Sequence, residues 1–170
     1  MLAVAFPHDQ VQILPYNRTV RDLGGLAPAE FLERVRERFV VEAGPARPTR
    51  RGDVAMYFQG AWQTLRSRVS PDESDPIAAL DVSVLQEQLL ARVLKIADVR
   101  TDRRIEFVGG ARGTAALERL VNSGKAGVAF SLYPVSVSDL MNVADDGAIM
   151  PPKSTWFEPK LRDGLLINPL

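Results

Sequence analysis

Seven residues in a row, Ala126-Gly-Val-Ala-Phe-Ser-Leu132, carry almost no polarity. A strand with one wet face alternates apolar and polar residues. A near-continuous apolar run of strand length is therefore read as a strand covered on both faces. The elements around it are short and well punctuated. Ile105-Glu-Phe-Val108 reads as a strand, Gly109-Gly-Ala-Arg-Gly113 as a loop, and residues 114–122 as a helix with Leu117, Leu120 and Val121 inward, ended by Gly124. After the apolar strand, Ser136 to Asp139 fits a capping box. It starts a helix with Val137, Leu140, Met141 and Ala144 on one face, ended by Gly147. This β-α-β-α order predicts at least one right-handed crossover and a locally parallel strand pair.

The N-terminal part reads differently. Apolar runs at 2–6 and 10–14, separated by Pro7-His8-Asp9, predict a hairpin, and residues 53–58 and 61–68 around Gln59-Gly60 predict a second. Gly24-Gly25 breaks the chain, and Pro28 sits where a first helical residue belongs. Phe31, Leu32, Val35 and Phe39 then share one face of a helix over about 28–39, with Glu33, Arg34, Glu37 and Arg38 opposite. Ala27 is a poor N-cap, which costs about 1 kcal/mol relative to Ser or Thr. Asp75-Pro76 reads as a cap followed by a first-turn proline, and Asp81 as the cap of a helix over about 82–96. The stripe of that helix is Val82, Leu85, Leu89, Val93 and Ile96, widened by Leu90 and Leu94. So wide a stripe predicts burial on more than one side, by the core first and by a partner second. The fold expected is α+β: a mixed sheet with N-terminal β-hairpins, a C-terminal β-α-β-α part and about four helices, in one domain over 1–170.

Composition narrows function by exclusion. Lys+Arg and Asp+Glu are 21 each, a balance that argues against a nucleic-acid binder or a polybasic membrane-surface protein. Arginine outnumbers lysine 17 to 4, which codon usage in a GC-rich genome explains. With no cysteine there is no disulfide, thiol nucleophile or Cys-based metal site, and with one histidine, His8, no two-histidine metal motif. No apolar run approaches the roughly 18 residues of a membrane span, and the apolar start lacks a basic flank, so a cytoplasmic protein is expected.

Several places carry candidate chemistry. Gly109, Gly110 and Arg112 lie between a strand and a helix start, where free N–H groups and a guanidinium suit a phosphate or carboxylate. The spacing fits neither common phosphate-loop pattern, and the other reading is a tight turn whose glycines permit close packing. Lys153, Ser154 and Thr155 follow two prolines and precede Trp156-Phe157, a segment that either contacts phosphate or closes the core. Asn17 and Arg18 end a strand, where they either meet a ligand or satisfy loop backbone. Arg47, Arg50 and Arg51 make a basic loop tip, read first as a mobile surface loop and second as an anion contact. His8-Asp9 reads as an exposed turn, and Asp145-Asp146 as weak evidence for Mg²⁺. No catalytic constellation and no metal set emerges.

Five segments together carry a resemblance: FPHDQVQILPYNRTVRDLGGL (6–26), DPIAALDVSVLQEQLL (75–90), TDRRIEFVGGARG (101–113), AFSLYPVSVSDLMNVADDG (129–147) and PPKSTWFEPKLRDGLLI (151–167). They resemble the C-terminal half of a widespread prokaryotic domain family of unknown function, nearly end to end. Where that family often has Thr before the first helical proline, this chain has Ala27. Full-length members carry an N-terminal half with a D-G-H-H-R segment, similar to the D-G-H-x-R of ParB/sulfiredoxin-like proteins, among them free-serine kinases. This chain holds no D-G-H-H-R. The resemblance therefore implies the ligand- or phosphate-contacting C-terminal half of a nucleotide-using small-molecule kinase-like protein, inactive alone, with a nucleotide and Mg²⁺ as the implied cofactors. The alternative expectation is a non-catalytic domain that forms a homodimer through apolar surface.

Overall fold

The computed structural model describes residue 7 and residues 10–160. Residues 2–6 of the expected first hairpin, the His8-Asp9 turn and the end of the resembling segment at 161–167 lie outside the described residues. The chain runs β1 (Gln12–Leu14), β2 (Tyr16–Val20), α1 (Pro28–Arg38), β3 (Phe39–Ala43), β4 (Asp53–Phe58), β5 (Ala61–Ser67) and α2 (Asp81–Leu85), which continues as a π-helical turn (Gln86–Ala91). There follow β6 (Ile105–Gly109), a 3-10 turn (Gly110–Arg112), α3 (Thr114–Asn122), β7 (Val128–Leu132), α4 (Val137–Asp145) and β8 (Trp156–Glu158). The class is α+β, with four α-helices among the described residues. Six strands form a sheet in the order β3-β5-β4-β7-β2-β6, while β1 and β8 pair apart from it.

All five residues of β7 are buried, and the strand lies inside the sheet between β4 and β2. Its side chains alternate between two cores. Val128, Phe130 and Leu132 enter the larger, with Phe31 and Val35 of α1 and Leu85, Leu89 and Leu90 of the α2 arm. Ala129 enters the smaller, with Tyr57, Val108 and Leu117 beneath α3. The crossover through α3 leaves β6 and β7 running in the same direction, but β2 lies between them, antiparallel to each. The parallel pair is therefore split, and each ladder of the six-stranded sheet is antiparallel. Stepping over one intervening strand means spanning about 10 Å, which the nine-residue α3 and its flanking turns reach.

Local signals explain most elements. Pro28 opens α1 behind Ala27, which makes no side-chain cap bond, and Phe31 and Val35 are fully buried. The apolar phase continues into Phe39, but there the chain turns straight into β3, which the helical spacing had absorbed. The second hairpin forms as read: Gln59 at φ +50° and Gly60 at φ +81° make the turn whose twist matches antiparallel strands. Gly124, at φ +73°, ends α3 as expected.

Two helices depart from expectation. The 82–96 helix loses α-geometry after Leu85, and the wider π turn spreads its inward-facing residues over a broader arc. Val82, Leu85, Leu89, Leu90, Val93, Leu94 and Ile96 thus all reach one core, so the whole apolar stripe is taken up by the core. In α4 the capping box at Ser136 and Asp139 forms, but Val143 is the buried residue and Met141 is 57% exposed. Asp139 is held inward by Arg51, which rotates Met141 outward.

These placements separate two substitutions. Leu89→Ala should cost about 2–5 kcal/mol, as fully buried leucines do when truncated, and Met141→Ala less than about 0.5 kcal/mol. Urea midpoints of the two variants measure the difference.

Candidate functional site

β2 presents Tyr16, Arg18 and Val20 to the larger-core face, because alternate residues share a face. Arg18 is 2% exposed and its side chain is fully buried. Its Nη1 donates to the carbonyl of Tyr16 at 2.8 Å and its Nη2 to the carbonyl of Lys153 at 3.4 Å, and its guanidinium lies 5.4 Å from the Phe107 ring centre. Among the described residues no carboxylate pairs with it. Burial alone pulls its pKa down to about 10. The group stays charged at neutral pH, with two carbonyls facing five N–H donors. Buried charges are ordinarily paired, because desolvating one costs several kcal/mol.

The tail after α4 covers this arginine. The antiparallel β1–β8 ladder puts Leu14 opposite Trp156. Trp156 packs edge-on to Tyr16, ring centres 5.2 Å apart. Its ring also fills the space above Gly109, where a Cβ would lie 2.3 Å from ring carbon. Gly110 is equally constrained, since a Cβ there would meet the Pro15 carbonyl at 2.7 Å. Ser154 is buried, while Lys153 is exposed with its backbone in the left-handed region at φ +53° and its Nζ 5.5 Å from the Tyr16 ring centre. A left-handed lysine is sparsely populated and persists only where its surroundings hold it.

Beside this cluster is a narrow cleft of about 20 Å³ lined by Tyr16, Ser154, Arg51, Asp81, Tyr133 and Asp139. Arg51 and Asp139 also line a wider cleft of about 450 Å³, whose other walls include Glu73, Asp145 and Asp146. Arg51 joins three segments: Nη1 donates to Asp139 Oδ1 at 3.0 Å and Nη2 to the Ala79 carbonyl at 2.9 Å. The basic loop tip is thus tied down through Arg51, against the expectation of a mobile loop. Asp81, expected as an N-cap, is instead the first residue of α2, following Leu80. Its Oδ1 accepts from the Gly52 N–H at 2.9 Å. Burial pushes the Asp81 carboxyl up to about 6, Asp139 and Asp53 add to the rise, and the Gly52 N–H and Arg51 oppose it. Asp75 closes a turn over 76–79 and caps no helix, its Oδ1 accepting from the N–H groups of Ile77 and Ala78.

The tail therefore meets the diglycine bend: Gly109, Gly110, Lys153, Ser154 and Thr155 gather with Arg18 around Tyr16. Asn17 closes a gap in the sheet, its Oδ1 accepting from the Leu132 N–H at 3.2 Å. Arg112 goes elsewhere. It is exposed and lines a hollow along α3, which covers the opposite face of the sheet. Arg112 and Lys153, two candidate phosphate contacts, therefore do not share one hollow. The glycines here serve close packing, the other reading of that motif. Asp81 and Asp139 read from sequence only as caps, and Arg51 only as part of a basic loop tip, because the contacts that join them span 29 and 88 positions.

A family model described as "protein of unknown function (DUF1015)" matches residues 1–83. No curated protein matches the chain. Among solved structures, a free serine kinase in complex with AMP is similar at 15% identity and a TM-score of 0.48, over 88% of this chain and 54% of that one. A conserved hypothetical protein from Pyrococcus furiosus is similar at 12% identity and a TM-score of 0.49, over 86% of this chain and 56% of that one. The chain spans about half the length of the solved structures it matches.

Two measurements probe this geometry. Gly109→Ala should expel the Trp156 ring and shift tryptophan emission to the red, whereas Gly52→Ala, strained at φ +86° but with nothing within 4 Å of its Cβ, should lower stability without shifting emission. For Asp81, the folded pKa lies above the ordinary 3.8, so its protonated form stabilises the fold below that value and the contribution is lost as pH rises through about 6. Asp81→Asn should abolish this loss, making the variant gain on the wild type between pH 4 and pH 6 in thermal melts, about the interval that separates the two pKa values.

Proposed function

We propose that this chain is the anion-contacting half of an enzyme that transfers a phosphoryl group to or from a small molecule, and that it acts only with the N-terminal half of the architecture it resembles. One observation carries this reading: Arg18 is a fully buried, charged guanidinium with no carboxylate among the described residues. A phosphate or carboxylate arriving between Tyr16, Lys153 and Ser154 supplies the missing counter-charge. Its route is through the longest bond in the cluster, the 3.4 Å contact from Arg18 to the Lys153 carbonyl. Displacing that carbonyl also releases the left-handed backbone of Lys153 and leaves its ammonium free to approach the anion as a point charge. Phosphoryl transfer is carried largely by positioning and charge neutralisation, which a buried arginine and a neighbouring lysine provide. Arg51, Asp81 and Asp139 line the adjoining wall, where the polar body of the molecule makes its hydrogen bonds.

A nucleotide with Mg²⁺ is the cofactor this reading implies. Among the described residues no three carboxylate or histidine groups converge to hold a metal ion, and no step is routed through one. Among them, too, no helix is long and apolar enough to cross a membrane.

Differential scanning fluorimetry with inorganic phosphate, pyrophosphate, AMP and ADP tests the reading. A ligand at a hundred times its Kd stabilises by about 2.7 kcal/mol, a rise of roughly 5–10 °C for a chain of this size. Arg18→Met should leave the ligand-free melting temperature nearly unchanged, since removing an uncompensated buried charge offsets the lost hydrogen bonds. It should abolish the ligand-induced rise. If no phosphate compound raises the wild-type melting temperature, or Arg18→Met responds like the wild type, the reading is wrong.

A further inference from the structure

One flank of α3 carries a feature the anion site does not use. Arg112, Arg119 and Lys125 line an open hollow of about 900 Å³ whose floor includes Ala116 and Leu120, and no carboxylate lines it. None of the three cations is paired with a carboxylate among the described residues. The Arg47 guanidinium comes from a distant loop to within 3.8 Å of where a Cβ on Gly113 would sit, adding a fourth cation at the same end as Arg112. In a chain whose formal charge is zero, so much positive charge gathered around one short helix is a local excess.

The arrangement is linear. Arg112 precedes α3, Arg119 lies within it and Lys125 follows it, so the charges are strung along a helix about 14 Å long. A compact phosphate reaches only one or two of them. An extended polyanion reaches all. The lining offers no aromatic side chain for base stacking, which disfavours single-stranded nucleic acid. The apolar floor between the cations instead suits aliphatic side chains. We propose that the α3 face is a docking groove for an acidic segment of a partner protein, its carboxylates on Arg112, Arg119 and Lys125 and its apolar residues on Ala116 and Leu120.

Fluorescence anisotropy on the full chain tests this with a labelled synthetic peptide of roughly twelve residues, long enough as a helix to cover the groove. It is built of glutamates with a leucine at every third or fourth position. The expected result is saturable binding that weakens as salt is raised and falls about tenfold or more in Arg119→Glu and in Lys125→Glu. Arg92→Glu, an exposed cation outside the hollow, should bind as the wild type does. These side chains are exposed or nearly so, and unchanged melting temperatures verify that the variants fold. Arg18→Met should also bind the peptide normally, which separates this groove from the anion site. The proposal is overturned if the peptide fails to saturate, if both charge reversals bind it unchanged, or if an oligothymidine of equal length binds more tightly than the peptide.

Discussion

Covering β7 on both faces is the constraint from which the rest of the molecule follows. A five-residue strand without a wet side cannot end a sheet or lie on its surface, and its backbone donors and acceptors need partners on both edges. The fold answers with β4 on one edge and β2 on the other, α1 and the α2 arm above, and α3 below. Inserting β2 between β6 and β7 completes the ladders. It also carries Arg18 into the interior next to Phe130, in the same row as Phe107.

The candidate site is a by-product of that insertion. Because β2 is flanked on both edges from Arg18 onward, a charged side chain at position 18 is buried by strands that were recruited for other reasons. The tail finishes the enclosure: Trp156 needs the bare backbone of Gly109 to lie flat, and its ladder with β1 fixes where Lys153 and Ser154 fall. Packing and electrostatics oppose each other at this point. The apolar contacts of Trp156 and Tyr16 favour closure, while the enclosed guanidinium disfavours it, and an anion relieves the conflict.

Charge is divided between the two faces of the sheet. The cleft beside Arg51 is walled by Glu73, Asp139, Asp145 and Asp146, and the α3 hollow by Arg112, Arg119 and Lys125. A net charge of zero conceals this division, because a sum carries no information about position. The two surfaces therefore differ in sign, acidic around the wider cleft and basic along α3.

Elements whose signals are local were legible in the residues: the apolar strand at 128–132, the Gln59-Gly60 hairpin, Pro28 opening α1, the capping box at Ser136 and Asp139, and the wide stripe from Val82 to Ile96. Arg18, Lys153 and the diglycine bend were visible there only as separate places, and their meeting around Tyr16 belongs to the tertiary structure. What residues alone leave open is long-range pairing, since strand type does not specify which partner a strand chooses. Gln12–Leu14 pairs with Trp156–Glu158, β2 splits the crossover pair, and Arg112 parts from Lys153 across the sheet. The same holds for Asp81, whose pKa is raised by burial and, less, by Asp139 and Asp53. Periodicity and turn chemistry act over a few residues and are written in the chain. Burial, counter-charge and the choice of face depend on segments tens of positions apart, and those arise only once the sheet is assembled.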